Sequence, residues 1–226
     1  MIDLRTGLLS AVEAPILVVA ALFPIVNPIG SAAIFINLTG AVHPQVQRIL
    51  ARKVALFSFF LLIGSLLFGA KILLFFGVSI YAVQIGGGLV VAATGWSLLN
   101  QTVAGATTRS PTDADILANA FYPYTLPITV GPGSISVAIT LGAHVPSEVH
   151  AASIFSPSVL IASLAGTLVI CFLIYVCYRY ADAAPRFLGA AGTSVLMRIS
   201  SFILLCIGVQ IVATGVRAYL ETIKSL

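Results

Sequence analysis

The sequence predicts an all-α, polytopic membrane protein of six transmembrane helices, arranged as two inverted three-helix repeats with helices 1 and 4 broken. Three observations carry that expectation. Hydrophobic residues make up 59% of the 226 positions and charged residues 8%, too little charge to solvate the outside of a globular domain of this length. The apolar residues fall into six runs, each near the roughly 20 residues that cross a bilayer, without the short alternating segments of a membrane barrel. A motif rich in proline and glycine recurs at corresponding places in the two halves.

The first span is expected over Ala14 to Thr39, and it contains the stretch FPIVNPIGSAA at Phe23 to Ala33. Ahead of it the only basic residue is Arg5, Glu13 interrupts the apolar run, and no small-residue cleavage site follows. The N-terminal segment is therefore expected to be retained and to lie along the interface. The second and third spans are expected over Val54 to Phe76 and Tyr81 to Asn100. Residues 101–115, QTVAGATTRSPTDAD, have the Gly, Thr, Ser and Pro content of an exposed linker. They divide the chain into a first repeat at 1–100 and a second at 116–226. The fourth span is expected over Ile116 to Gly142, the fifth over Pro157 to Tyr178 with Ser156 as its cap, and the sixth over Val195 to Ala218.

Within the first and fourth spans stand PIVNPIGS (Pro24 to Ser31) and PITVGPGS (Pro127 to Ser134), with Pro28 and Pro132 offset by 104 residues. The same offset brings Glu13 close to Asp115, which makes Glu13 the surface entry of its span and no buried proton carrier. An odd number of spans per repeat forces the second repeat to enter the membrane upside down, the plan of many secondary transporters. A six-span chain has both termini on one side, with Arg5, Lys71, Arg217 and Lys224; the other side collects Arg48, Arg52, Lys53, Arg109, Arg179, Arg186 and Arg198. The positive-inside rule then places both termini outside the cytoplasm.

The two motifs are the expected site. Proline lacks an N–H, clashes with the preceding turn and pushes its predecessor out of the α region, so the helix should stop and restart at Asn27-Pro28 and at Gly131-Pro132. Asn27 is a strong helix cap with Pro28 at the first helical position, and Gly30 and Gly133 leave the backbone uncovered. Each restarted half-helix presents unpaired N–H groups and about half a positive charge near the membrane midplane. Such groups persist in hydrocarbon only where protein or a wet cavity satisfies them. Facing N-termini suit a carboxylate, and unpaired carbonyls on the entering half-helices suit an ammonium, so one small zwitterionic or neutral solute satisfies both sets. The same prolines in a packed bundle also serve as plain kinks, a reading that the duplicated position disfavours.

The candidate site is therefore Asn27, Pro28, Gly30, Gly131, Pro132, Gly133 and Ser134, followed by Ser31, Thr129 and Gln210. Gln84 and Thr94 are weaker polar signals of the same kind. Gly86, Gly87, Gly88, Gly95, Gly208, Ser200 and Ser201 read as close helix packing. All seven acids and the three histidines map to ends or connections, so no proton relay is visible at depth. Ser134 and Ser136 have no histidine or lysine predicted at their depth to activate them, which disfavours an intramembrane hydrolase. Cys171, Cys177 and Cys206 are expected to act as small apolar residues, with no disulfide framework, metal spacing or cofactor implied.

Three stretches, NPIGSAAIF at Asn27 to Phe35, LPITVGPGSI at Leu126 to Ile135 and RISSFILLCIGVQ at Arg198 to Gln210, resemble the MarC family of six-span inner-membrane proteins. That family includes transporters of small neutral amino acids such as glycine and alanine, and the resemblance implies the same activity and an inner-membrane location. It also implies that many relatives have an aspartate where this chain has Asn27, which places the chain nearer the MarC branch. The sequence-based expectation is a secondary transporter of small neutral amino acids or similar metabolites, no enzyme, with the lipid bilayer and a small solute as partners and no nucleic acid. A channel or exporter of small solutes and a non-transporting membrane scaffold are the alternatives, and a homo-oligomer is left open.

Overall fold

A computed structural model describes residues 4–39, 43–100, 113–143 and 157–224, and among them every regular element is helical. The helices are α1 (Leu4–Val26), α2 (Pro28–Thr39), α3 (Pro44–Phe75), α4 (Ile80–Asn100), α5 (Asp113–Ala118), α6 (Pro132–Ala143), α7 (Pro157–Arg179) and α8 (Ala183–Lys224). A wide-wound segment, Ala120–Thr129, joins α5 to the turn before α6. Pro28, Pro44, Pro132 and Pro157 each open a helix, where a missing N–H costs nothing and the fixed φ fits.

Four stretches among the described residues are long and apolar enough to cross a membrane: Pro15–Ile36, Pro44–Phe75, Ile80–Asn100 and Ala191–Lys224. Segment Ala120–Thr129 and α6, bent by 68°, make a fifth when taken as one span, and Ser163–Arg179 of α7 is a shorter apolar helix. Large apolar side chains such as Phe60, Trp96, Phe172 and Phe202 point outward, as a bundle bathed in hydrocarbon requires.

Several expected boundaries move. α3 begins at Pro44, well ahead of the apolar run expected from Val54, and α8 extends to Lys224. A helix does not stop where the hydrocarbon does: outside it, polar residues such as Gln47, Arg48 and Arg52 continue the same hydrogen-bond ladder. α8 is kinked at Gly189, whose φ of 66° and ψ of 178° suit a residue without Cβ. α5 begins at Asp113, inside the expected linker; residues 101–112 and the Ser156 cap lie outside the described residues. The fourth span departs furthest from expectation. Its entering half is not an α-helix, because Tyr122 and Leu126 are extended, each preceding a proline that bars it from the α region.

The turn between α3 and α4 is fully specified locally. Gly77, at φ 66°, ends α3: its N–H donates to the Leu74 carbonyl (3.1 Å) and that of Val78 to Leu73 (2.9 Å), the paired closure that favours glycine. Ser79 then caps α4, its hydroxyl accepting from the Ala82 N–H at 3.4 Å.

Packing divides the molecule unevenly. One contiguous apolar core takes side chains from α1, α2, α3, α5, the wound segment, α6 and α7, including Leu22, Phe35, Leu50, Leu62, Val130 and Ile174. No residue of α4 or α8 belongs to it. Those two helices pack chiefly on one another, through small residues: a Cβ on Gly208 would run into the Ala92 backbone, and one on Gly95 into the Leu205 backbone. The glycines thus act as the sequence suggested, letting helix axes approach closely. The pair meets the core mainly where α4 crosses α6, with Gly87 against the Ser136 side chain and the Ser136 hydroxyl donating to the Val83 carbonyl at 2.7 Å.

Candidate functional site

The first break is one residue long. Asn27 stands at φ 45°, the sole non-glycine among the described residues in the left-handed region, which asparagine tolerates better than most. Its N–H still donates to the Phe23 carbonyl and its carbonyl still accepts from the Ser31 N–H, both at 2.9 Å, so the span runs on through the break. Its side chain turns back on α2, with Oδ1 accepting from the Gly30 N–H at 3.2 Å, the cap expected from the sequence. Gly30 must be bare for this: a Cβ there would collide with the Asn27 amide. Pro28 and Gly30 are buried and shape Asn27 from behind.

The second break is built differently. In the wound segment, hydrogen bonds close five residues apart: the Val130 N–H to the Thr125 carbonyl (2.9 Å), the Thr125 hydroxyl to Ala120 (2.8 Å) and the Thr129 hydroxyl to Tyr124 (2.7 Å). The chain turns at Val130 and Gly131, and α6 starts at Pro132 with the Ile135 N–H on the Gly131 carbonyl at 3.1 Å. Gly131 has no side chain to cap the amides of Gly133 and Ser134. Among the described residues the uncapped N-terminus at depth is therefore that of α6, while α2 is closed by Asn27. The Asn27 start is thus the capped one and the Gly131 start the open one.

The breaks are joined. The Ser31 hydroxyl lies 3.1 Å from the Val26 carbonyl and 3.3 Å from that of Ile128, linking the first motif to the second. Tyr178, from the end of α7, is fully buried and its hydroxyl is 2.7 Å from that of Thr129. Thr129 gives its single proton to Tyr124, so Tyr178 is the donor in this pair. Its ring stacks on Phe35 at 4.4 Å, with Ser31 beside the hydroxyl.

Between the breaks and the α4–α8 pair lies a cavity of about 560 Å³. Asn27, Ser31, Thr129, Gly131, Pro132, Gly133 and Ser134 all line it, so seven of the predicted residues from two motifs share one wall. Pro28 and Gly30 sit behind that wall. Gln210 does not reach it: it is exposed on α8, its carbonyl accepting from the Thr214 hydroxyl at 2.9 Å. The opposite wall, which the motifs gave no means of finding, is Val90, Val91, Thr94 and Leu98 of α4 with Leu204 of α8. From Val90 to Leu98 the helix rises about 12 Å, so the cavity extends from the breaks toward the Asn100 end of the bundle.

That end carries the basic residues. Lys53 Nζ is 3.4 Å from the Leu117 carbonyl, and Arg179 donates to the Tyr175 hydroxyl at 2.7 Å, with Arg52 close to the same tyrosine. The start of α3 and the ends of α5 and α7 therefore share one side. Among the described residues no charged side chain lines the cavity, and no group of His, Cys, Asp or Glu is arranged to hold a metal ion. The arrangement suits a solute with no net charge, held by hydroxyls, one amide side chain and backbone ends.

Comparison with known proteins places the chain in company. A family model described as MarC family integral membrane protein matches residues 12–220. The chain is 28% identical over 211 residues to the UPF0056 inner membrane protein MarC of Salmonella typhimurium, covering 90% of this chain and 93% of that one. It is 27% identical over 212 residues to the UPF0056 membrane protein YvbG of Bacillus subtilis, covering 91% and 95%. No solved structure matches.

Proposed function

The chain belongs to the MarC family of integral membrane proteins, and from that premise we propose that it is a secondary transporter of a small zwitterionic solute, of the small neutral amino acid class, in the inner membrane. One observation carries the reading: two motifs 104 residues apart in sequence line a single cavity with their helix breaks. Unsatisfied backbone at membrane depth is stable only where something polar occupies it in turn, and the paired broken-span arrangement is how many transporters bind charged groups without charged side chains.

In this reading the chain has six spans in two inverted repeats, both termini outside the cytoplasm. Helix neighbours support it. α3 packs on α6 as α7 packs on α2, the wound segment packs on α3 as α1 packs on α7, and α4 packs on α6 as α8 packs on α2, the exchange that a two-fold relation between repeats produces. α4–α8 and α3–α7 are the contacts that such an exchange leaves in place.

The same packing bears on the motion of transport. Rocking of one intact repeat against the other would tear the common core, since α1 and α2 are seated on α7 and α3 on α6. The weaker boundary runs between the α4–α8 pair and the rest, along the cavity. Alternating access is then movement of the pair relative to the four-span core, with the breaks as the fixed wall.

The test is uptake of labelled alanine into proteoliposomes. Saturable uptake, with counterflow, that Asn27→Leu abolishes in a protein that still elutes as the folded parent does is the expected result. Flux that never saturates points to a channel. Absence of flux and counterflow for every neutral amino acid offered, at normal folding, removes the transporter reading and leaves a scaffold.

A further inference from the structure

We propose that the transported zwitterion carries an apolar side chain larger than methyl, of the valine, leucine or phenylalanine kind, whose polar end sits at the breaks and whose side chain lies against α4 and α8. The inference rests on the transporter reading and names its solute class more closely. The polar side chains of the cavity come mainly from the two break motifs, where they stand among Ile25, Val26 and Ile128, and the facing helices are mostly apolar. At the break end stand Asn27, Thr129 and Ser134. Ser134 is 3% exposed, and among the described residues its hydroxyl has no hydrogen-bond partner, although it borders the cavity. A polar group so deeply buried is costly without a partner, and here the partner is left to the solute, next to the uncapped amides of α6.

Opposite, the wall is Val90, Val91 and Leu98 of α4 with Leu204 of α8. Thr94 adds little polarity, because its hydroxyl donates to the Val90 carbonyl at 2.8 Å within its own helix. Space decides between small and large side chains. A cavity of about 560 Å³ is far larger than a glycine fills, so a glycine would leave most of the apolar wall wet. A branched or aromatic side chain covers it, and each buried methylene is worth about fourfold in affinity. Among the described residues no charged one faces the space, which disfavours a side chain with net charge.

The experiment is counterflow in proteoliposomes loaded with leucine, competed by glycine, alanine, valine, leucine and phenylalanine, and by two leucine analogues, 4-methylpentanoate lacking the amine and 3-methylbutylamine lacking the carboxylate. Leucine is expected to compete at least about tenfold better than glycine, with both analogues weaker than leucine. Leu204→Phe and Leu98→Phe, which fill the apolar wall from two different helices, are each expected to shift preference from leucine toward alanine. Transport in which glycine or alanine competes best overturns the proposal and leaves the transporter reading standing, as does equal competition by the analogues. Failure of every compound to exchange, in protein that folds normally, removes the transporter reading itself.

Discussion

Asn27 offers the sharpest test of the architecture, because two separable effects meet at one residue. Its φ of 45° is a conformation that costs an ordinary L-residue about 1–2 kcal/mol, while asparagine is among the residues that adopt it most readily. Its side chain also caps α2 through the Gly30 N–H, a contact whose loss to alanine costs about 0.5–2 kcal/mol and to glycine only a few tenths. Asn27→Ala loses the cap and is strained, for a total of about 1.5–4 kcal/mol; Asn27→Gly loses the cap and is relaxed. For a chain of this length each kcal/mol moves the melting temperature by about 2–4 °C. Asn27→Ala is therefore expected to melt about 3–16 °C below the parent and Asn27→Gly within about 2 °C of it.

Purified protein in one detergent, followed by its single tryptophan, Trp96, and by size-exclusion after heating, measures both. A second substitution closes the argument. Gly30→Ala drives a Cβ into the Asn27 amide and should cost the cap in the parent but much less in the Asn27→Gly background, where no amide stands in the way. Such non-additivity is the mark of two residues in contact. Equal melting of the alanine and glycine variants, or additive losses in the double variant, would refute the left-handed, self-capped break.

Three further outcomes are expected. Thr167 is fully buried in α7 with an unpartnered hydroxyl, as Ser58 is in α3; Thr167→Val should raise the melting temperature, by about 1 kcal/mol in stability, and a fall instead would show that the hydroxyl is satisfied in the membrane. Tyr178→Phe keeps the stack on Phe35 but removes the proton donated to Thr129, so a loss of about 1 kcal/mol in thermal unfolding is expected; no change would mean that this contact does not hold the second break. With Cys171, Cys177 and Cys206 replaced by alanine, Lys224→Cys should react with an impermeant maleimide in intact cells if the C-terminus lies outside, and labelling only after lysis would reverse the proposed orientation.

The helices, and even the positions of the breaks, were legible because their causes are local. An apolar run such as 80–100 has few other ways to satisfy its backbone in lipid, and Asn27-Pro28 and Gly131-Pro132 carry their geometry in two residues each. The wound segment was equally local but underread. Pro123 and Pro127, four residues apart, extend both Tyr122 and Leu126 and remove the α-helix between them, whereas only Pro127 entered the motif. What was not legible is what depends on distant partners. The glycines of α4 announce close packing, yet nothing in their spacing names Gly208 and Leu205 of α8 as the surface they meet. Tyr178, at the end of an apolar run beside Arg179, has the sequence context of an interfacial tyrosine. It is buried instead because the bent fourth span brings Thr129 beneath it.

The two motifs are near copies, and their one telling difference is the residue before the helix restart. Asn27 closes the α2 end upon itself; Gly131 closes nothing, so in the proposed transporter an anionic group would meet mainly the start of α6. The difference is transferable. Gly131 is not among the glycines held at positive φ, and a Cβ there meets only the Pro127 carbonyl, at 3.2 Å, so Gly131→Asn is tolerated with a slight shift. The new side chain would cap Gly133 or Ser134 as Asn27 caps Gly30, adding stability of about 1 kcal/mol while occupying the amides that the solute needs. A protein that melts higher yet takes up solute with a KM raised at least about fivefold is the expected result, the two effects having one cause. If KM is unchanged while the melting temperature rises, the amides at the start of α6 do not bind the solute, and the cavity holds it by its hydroxyls alone.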